Sequence, residues 1–302
     1  MKPIPEQRKL RIYDLVRERG SVSVKELARL LGASKATIRR DLEELKQRGR
    51  IARSHGGAVL DRSLRTTFEP AYAYASKMAY AEKLAIGEHV ADRLEDGQSV
   101  IFDSSSTVCE AARFAAEKGR KITAITNDVN TACILAQASS VRLIVLGGTT
   151  RVGSYTTLGE PGNGFLEKLH ADVALLGIHA IHNGTLSETS VGVATMKRGM
   201  VRAARQVIVL ADSTKFGTPA FYDVCNLSEI NEIITDNGIS EDHQNDLRQR
   251  GIPFAKVEPD RRNPGYGTGD RGAAMHSAPV SARPFHEKGK ESLFHRTHFK
   301  EA

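Results

Sequence analysis

The sequence has few cysteines and no long hydrophobic run. Cys109, Cys133 and Cys225 lie far apart among 302 residues, with no C-x-x-C pair and no neighbouring histidine cluster. We therefore expect reduced core thiols and no metal site. Because no apolar run approaches the ~18 residues of a membrane span and no signal peptide is recognisable, we expect a cytoplasmic protein with no membrane partner.

The sequence also lacks the glycine-rich motifs that bind nucleotides. Neither a Gly-x-Gly-x-x-Gly motif nor a Walker sequence occurs, so a dinucleotide or a nucleoside triphosphate is not favoured and no cofactor is expected. Four C-terminal histidines have no partner at metal-ligand spacing: His276, His286, His295 and His298. We expect these side chains to be solvated.

The positive charge of the chain is concentrated near its N-terminus. Residues 1–60 contain 15 Lys and Arg against 7 Asp and Glu, a net charge of +8. Residues 61–257 have a net charge of −3, and residues 258–302 of +2. A basic N-terminal module is expected of a nucleic-acid-binding surface, whereas the mildly acidic middle argues against a second such surface there.

Residues 21–47 have the pattern of two short helices around a glycine turn. Ser23 is a candidate cap of the first helix, and Glu26 would complete a capping box. Three leucines at helical spacing are expected to face a core: Leu27, Leu30 and Leu31. Gly32 would end this helix.

The second of these helices has an apolar stripe and a basic face. Ser34 would cap it, and the stripe consists of Ile38, Leu42 and Leu45. The opposite face, near the N-terminal end, displays Lys35, Thr37, Arg39 and Arg40. Basic residues at this end oppose the helix dipole, and DNA phosphates would compensate. We therefore predict a recognition helix in which these four residues and Ser34 contact DNA.

A basic, glycine-containing segment follows this helix. Arg53, His55, Gly56 and Gly57 suit a hairpin wing, because the glycines permit a tight turn and the cations reach the DNA backbone or minor groove. With a first helix over residues 5–19, the sequence predicts a winged helix-turn-helix that ends near residue 60.

These motifs resemble those of the DeoR family of bacterial transcriptional regulators. The resemblance is strongest in TIRRDLEEL (residues 37–45) and SHGGAV (residues 54–59), and it extends roughly over residues 6–257. It implies a repressor of a carbohydrate-utilisation operon, whose partners are a double-stranded DNA operator and a phosphorylated sugar. Because one recognition helix contacts only a few base pairs, we expect a homodimer or a homotetramer on paired half-sites, associated with the nucleoid.

The middle of the chain predicts an α/β domain. Residues 61–76 suggest a linker, and a helix is expected over residues 77–95. Short apolar runs then alternate with helical segments: Ser99–Phe102, Ile122–Ile125, Val141–Leu146, Val173–Leu176, Val207–Leu210, Ile230–Thr235 and Phe254–Val257. This alternation predicts a mostly parallel, Rossmann-like sheet over residues 77–257, covered on both faces. Residues 258–302, rich in Gly, Pro, Ser and charge, predict a disordered tail.

Polar residues and glycines follow five successive strands of this predicted sheet. They are residues 103–107, 126–128, 147–149, 177–179 and 212–215. In open α/β sheets, ligands bind beyond the carboxyl ends of the strands. Hydroxyls and free N–H groups at a helix N-terminus suit phosphate, and Gly147 and Gly148 would let a ligand approach the backbone.

The sensor domain of the DeoR family is similar to ribose-5-phosphate isomerase and to CoA-transferase folds. The matching blocks are DSSST, ITN, LGG and LADSTKFG, together with Lys197 in ATMKRGMV. The resemblance assigns phosphate contacts to Ser104, Ser105, Ser106 and Thr107. It assigns sugar contacts to Asp103, Asn127, Lys197 and Lys215.

Two positions depart from the family pattern. Ser105 stands where a glycine is more usual, and His179 stands where an acidic residue is usual. Loss of an acid weakens catalysis but leaves ligand binding intact. The alternative is a sugar-phosphate isomerase with an attached DNA-binding module, for which the candidate proton-transfer residues are Asp103, Asp128, Asp212 and Glu188.

Overall fold

The structure, a computed structural model, describes residues 5–19, 21–47, 51–54, 57–59, 66–67, 69, 72–76 and 78–260. Half of the predicted linker and all of the predicted tail from residue 261 onward therefore lie outside the described residues. None of the helices in the described ranges combines the length and apolar character that a bilayer span needs.

The N-terminal part forms three helices and a small antiparallel sheet. The elements are α1 (Pro5–Arg19), β1 (Ser21–Ser23), α2 (Val24–Leu31), α3 (Lys35–Gln47), β2 (Ala52–Ser54) and β3 (Gly57–Val59). The strand order is β1-β3-β2, so the predicted wing hairpin pairs with the segment before α2. One apolar cluster joins the helices and includes Ile12, Leu27, Ile38 and Leu42, all without exposed surface.

The predicted ends of α2 are confirmed, but two other expectations for this helix are wrong. Ser23 Oγ accepts a hydrogen bond from Glu26 N at 3.1 Å, and Gly32 ends α2 with φ +58°. The Glu26 carboxylate, however, accepts from Arg19 Nη1 at 2.5 Å, so the reciprocal half of the capping box is wrong. Leu30 is 40% exposed, because α2 buries mainly the face of Leu27.

The rest of the described chain alternates strands with helices. Its helices are α4 (Tyr72–Ala75), α5 (Tyr80–Arg93), α6 (Ser106–Glu117), α7 (Val129–Leu135), α8 (Gly162–Leu166), α9 (Val191–Ala203) and α10 (Glu241–Gln249). Its strands are β4 (Ser99–Phe102), β5 (Thr123–Thr126), β6 (Arg142–Val145), β7 (Thr149–Thr150), β8 (Thr157–Leu158), β9 (Ala171–Gly177), β10 (Ala180–His182), β11 (Thr185–Glu188), β12 (Ala204–Leu210), β13 (Tyr222–Asn226), β14 (Glu232–Asp236) and β15 (Phe254–Val257).

Seven of these strands form one parallel sheet in the order β15-β14-β12-β9-β4-β5-β6. Successive residues of the central strands point to opposite faces, so Ile101 and Phe102 belong to different apolar clusters on the two sides. The predicted fold class is thereby confirmed. The expectation of burial on both faces fails at β6, an edge strand in which Val145 is 49% exposed.

Three local features were not predicted from the sequence. A second sheet, β10-β11-β13, and a two-stranded pair, β7-β8, are antiparallel and lie outside the main sheet. The segment interpreted as a linker contains the short helix α4. The helix expected over residues 77–95 is shorter, since α5 spans Tyr80–Arg93.

Candidate functional site

The predicted recognition helix, α3, presents an open basic face. Lys35, Arg39 and Arg40 are exposed, and these side chains form no ion pair within the described part of the chain. Ser34 Oγ accepts from Thr37 N at 3.1 Å and lies 2.8 Å from Thr37 Oγ1. The Ser34 hydroxyl is therefore engaged in capping α3, whereas the three cations remain accessible to a polyanion.

A buried ion pair, which sequence reasoning missed, fixes α3 against α1. Arg8 Nε donates to Asp41 Oδ2 at 2.5 Å and Arg8 Nη2 to Asp41 Oδ1 at 3.1 Å. The Asp41 side chain is only 4% exposed, and its carboxylate raises the pKa of Arg8 above the ordinary value. Next to this pair, the Lys9 ammonium group forms ion pairs with the carboxylates of Glu6 and Glu44. The i, i+3 spacing of Ile38 and Asp41 could have indicated that this carboxylate faces inward.

Two of the four predicted wing contacts, Arg53 and Gly57, belong to strands of the small sheet. Arg53 belongs to β2, and His55 and Gly56 lie outside the described residues. Gly57 begins β3 and is buried, and a Cβ atom there would lie 2.4 Å from the carbonyl oxygen of Val22. Close pairing of β1 with β3 therefore explains this glycine, and its contact with DNA stays a prediction.

A cavity of about 750 Å³ opens at the carboxyl ends of the parallel strands. After β4 the chain proceeds to β5 and β6 on one side, and β9 returns on the other side of β4. Such a change of direction leaves a crevice beyond the strand ends, where ligands bind in open α/β sheets. Asp103 follows β4 and Gly177 ends β9, so both lie at this point.

The N-terminus of α6 forms one wall of the cavity. The wall contains the four predicted phosphate contacts: Ser104, Ser105, Ser106 and Thr107. Ser105 Oγ caps the helix by accepting from Val108 N at 3.1 Å. The first N–H groups of a helix have no intrahelical acceptor, so α6 directs both hydroxyls and amide donors toward the cavity.

Lys197 lies at the centre of a buried charged cluster. Its ammonium nitrogen is 2.6 Å from Asp103 Oδ2, 3.0 Å from Glu188 Oε1 and 2.6 Å from the Gly177 carbonyl oxygen. Burial would lower the pKa of Lys197, but the two carboxylates raise it, which keeps the ammonium charged. An ammonium group has three donors, and these three acceptors match them.

This cluster changes the role expected for Lys197. Its donors are directed at protein acceptors, so it links β4, β9 and β11 at their ends rather than projecting a free ammonium at a ligand. His179 N donates to the same Glu188 oxygen at 3.2 Å. Asp103 Oδ1 is buried and has no partner among the described protein groups.

Two other lysines face the cavity. Lys215, in the 3-10 turn Ser213–Lys215, forms no side-chain hydrogen bond or ion pair with the described residues. Lys83, on α5, was not predicted from the sequence. It is 4% exposed, and burial, followed by the charge of Lys215, lowers its pKa to about 8. Its Nζ donates to the Ala75 carbonyl oxygen at 2.6 Å.

Four predicted effector contacts do not line this cavity, and these positions are corrected: Asp103, Asn127, Gly147 and Gly148. Asp103 pairs instead with Lys197. Asn127 is buried, and its Nδ2 donates to the Thr157 carbonyl oxygen at 3.0 Å. Gly147 and Gly148 are exposed but are not part of the cavity lining, and a Cβ atom at Gly147 would lie 3.1 Å from Pro161 Cγ. At Gly148, φ is +145° and a Cβ atom would lie 2.5 Å from the Leu158 carbonyl oxygen.

The segment before α5 also contributes to the cavity. Glu69 pairs with Arg151 Nη1 at 2.7 Å and accepts from Thr189 Oγ1 at 2.8 Å. Burial would raise the pKa of Glu69, but Arg151 and Thr189 lower it below its ordinary value. Tyr72 contacts Tyr155 edge-on at a centroid distance of 5.2 Å. Nothing in the sequence periodicity indicated that this segment would line the site.

Comparisons with known proteins agree for both parts of the chain. The family model for the DeoR-like helix-turn-helix domain matches residues 8–64, and the model for the DeoR C terminal sensor domain matches residues 78–237.

Several relatives are similar over most of their length. The HTH-type transcriptional regulator GlpR of Haloferax volcanii is 35% identical over 82% of this chain and 96% of its own. The transcriptional repressor GlcR of Bacillus subtilis is 31% identical over 84% of this chain and 97% of its own. The glycerol-3-phosphate regulon repressor of Escherichia coli is 32% identical over 76% of this chain and 90% of its own.

Among solved structures, ribose 5-phosphate isomerase A of Methanocaldococcus jannaschii aligns with 46% of this chain and 55% of its own, at 16% identity and a TM-score of 0.35. The family matches and the sequence relatives agree with the winged helix and the parallel sheet described above. This chain belongs to the DeoR family and is a DNA-binding transcriptional regulator.

Proposed function

We propose that this regulator represses a carbohydrate-utilisation operon and releases its operator when a phosphorylated sugar occupies the cavity. The main support is that the α6 N-terminus, Lys83 and Lys215 line one cavity. Hydroxyls, free amide N–H groups and ammonium groups are the donors that a phosphate monoester requires. A relative named glycerol-3-phosphate regulon repressor points to the same class of ligand.

The proposed contacts divide between two modules. Residues 1–60 would bind DNA through Ser34, Lys35, Thr37, Arg39, Arg40, Arg53, His55, Gly56 and Gly57. Residues 77–257 would bind the effector through Ser104, Ser105, Ser106, Thr107, Lys83 and Lys215, with Asp103 and Lys197 shaping the site. Residues 61–76 would connect the two, and residues 258–302 would form a tail.

A homodimer or homotetramer would place two recognition helices on paired half-sites about one helical turn apart. This arrangement supplies the specificity that one helix lacks, and it locates the protein at the nucleoid. Sedimentation velocity with and without operator DNA distinguishes the two assemblies, and a monomer on DNA would contradict both.

We infer binding without turnover at the cavity. An isomerase needs a carboxylate base that reaches the substrate carbon, whereas Asp103 and Glu188 both pair with Lys197. Asp128 accepts a hydrogen bond from Thr131 N as the cap of α7, and Asp212 accepts one from Thr214 N as the cap of the 3-10 turn. The competing hypothesis is that this buried cluster transfers protons. Turnover of ribose 5-phosphate by the purified protein, lost in Asp103→Asn, would establish the enzyme instead.

The deciding experiment is a gel shift on DNA upstream of this gene and its neighbours. It is run at physiological salt with competitor DNA, across a panel of sugars and their phosphates. We expect a specific shift that one phosphorylated sugar abolishes while the parent sugar does not. No specific shift, or no release by any phosphate, contradicts the proposal.

A further inference from the structure

The contact between Lys83 and Ala75 joins the cavity to the segment that leads to the DNA-binding module. Lys83 Nζ lies at the cavity wall and donates to the carbonyl oxygen of Ala75, the last residue of α4. In the sequence, this helix stands between β3, which ends at Val59, and α5. The same lysine therefore contacts both the cavity and the connecting segment.

The Lys83 ammonium group is held by a single hydrogen bond to the described residues. An ammonium group offers three donors, and within the described residues the hydrogen bond to Ala75 is the one that its Nζ forms. The groups whose charges act on it are Lys215 and Asp212 at the strand end, Glu110 on α6 and Glu82 on its own helix. None of these carboxylates is in salt-bridge contact with it.

An anion in the cavity would compete with the Ala75 carbonyl oxygen for the Lys83 ammonium group. A phosphate dianion bonds an ammonium more strongly than a neutral carbonyl oxygen does, because the bond is charge-assisted on both sides. We propose, on the basis of the proposed effector, that an anionic ligand draws the Lys83 ammonium away from Ala75 and thereby loosens α4. Lys83 is then the ligand contact that transmits occupancy of the cavity to the connecting segment.

Two backbone amides report on this contact. Ser76 N donates to Tyr72 O at 2.9 Å, and Met78 N donates to Ala75 O at 3.2 Å. Both bonds weaken if α4 loses its anchor, so both amides exchange faster with solvent deuterium. Lys83 N, which donates to Ala79 O at 3.0 Å at the start of α5, is the internal reference.

The experiment is hydrogen–deuterium exchange on the full-length chain, with inorganic phosphate against sodium chloride of equal ionic strength. We expect phosphate to accelerate exchange at Ser76 and Met78 several-fold, without change at Lys83 N. Lys83→Met, which keeps the stem but removes the cation, should exchange fast without phosphate and show no response. Lys168→Met, an exposed lysine away from the cavity, should behave as the wild type.

Unchanged or slower exchange of these amides in wild-type protein overturns the proposal, even if Lys83→Met fails to fold. A wild-type response in Lys83→Met overturns it as well. This failure differs from failure of the proposed function: if a phosphorylated sugar still releases Lys83→Met from DNA normally, the effector assignment stands and only the role of Lys83 is wrong.

Discussion

At the scale of single residues, Arg39 and Arg40 are two of the three exposed cations on the face of α3 that is expected to meet DNA. Arg39→Ala or Arg40→Ala should weaken operator binding by about 1–3 kcal/mol, roughly 5- to 150-fold, as expected for loss of a base contact. Thermal unfolding should not change, since neither side chain is buried. Fluorescence anisotropy with labelled operator measures the effect.

The matched control is Lys46→Ala, at the other end of the same helix, where an exposed lysine lies 4.0 Å from Glu43. It should bind operator nearly as tightly as the wild type. Normal operator binding by both arginine variants would show that α3 is not the recognition helix.

Lys215 is the second residue with a separable effect. Its side chain faces the cavity without a partner among the described residues, so Lys215→Ala should leave DNA binding intact. Release by the phosphorylated sugar should require a higher concentration, about 5- to 30-fold for the loss of one charge-assisted contact worth about 1–2 kcal/mol. A titration of the operator complex measures this. Loss of DNA binding with normal release would contradict the effector assignment.

Lys83 should make effector binding depend on pH. Its pKa is lowered to about 8 by burial and then by Lys215, against the opposing charges of Asp212, Glu110 and Glu82. A phosphate monoester is dianionic above pH ~7, so between pH 7 and 9 mainly Lys83 titrates. Because the ligand binds the charged form, its affinity should fall about tenfold over this interval. Calorimetry at several pH values measures it, and Lys83→Met should show a flat profile.

The contribution of Lys83 to folding stability changes with pH in the opposite direction to its contribution to effector affinity. Its folded-state pKa lies below the ordinary value of 10.5, so between about 8 and 10.5 the unfolded chain holds a proton that the folded chain has released. Stability from this group therefore increases as the pH rises through that window.

At the scale of elements, the position of α3, the predicted recognition helix, depends on Arg8 and Asp41. Arg8→Met leaves the Asp41 carboxylate, 4% exposed, without its bidentate partner, and should destabilise the winged helix by about 3 kcal/mol. Urea unfolding followed by a probe in this module measures the loss. The double variant Arg8→Met, Asp41→Leu should recover most of it, because no buried charge then remains.

The control for this pair is Lys46→Met, which removes an exposed contact of 4.0 Å and should cost under about 1 kcal/mol. If Arg8→Met were no more destabilising than this control, the buried pair would not hold α3 in place.

Helix periodicity and capping were sufficient to locate most of the N-terminal elements. The predicted first helix coincides with α1, and the caps at Ser23, Gly32 and Ser34 are found where the sequence indicated them. These signals are local, since a cap and its partner lie within three residues. The pairing of β1 with β3 was missed because β1 has only three residues and its partner lies more than thirty positions away.

At the scale of the whole molecule, the C-terminal segment is expected to be dispensable for folding. Its composition predicts no packed core, so deletion of residues 261–302 should change the melting temperature little. The described domain ends at β15, which already pairs with β14 in the main sheet. Differential scanning calorimetry of the truncated and full-length chains tests this. A large fall in melting temperature would show that the tail packs against the domain.

The sequence by itself determined the helix-turn-helix elements and the parallel sheet, because these depend on local periodicity, caps and the alternation of apolar runs with helical segments. Only the tertiary structure decided the make-up of the candidate site. It directed the Lys197 donors at Asp103, Glu188 and Gly177, which are distant in sequence. It also placed Lys83 at the cavity and excluded Asn127 from its lining. Side-chain direction and burial depend on contacts between separate elements, and no local pattern encodes those.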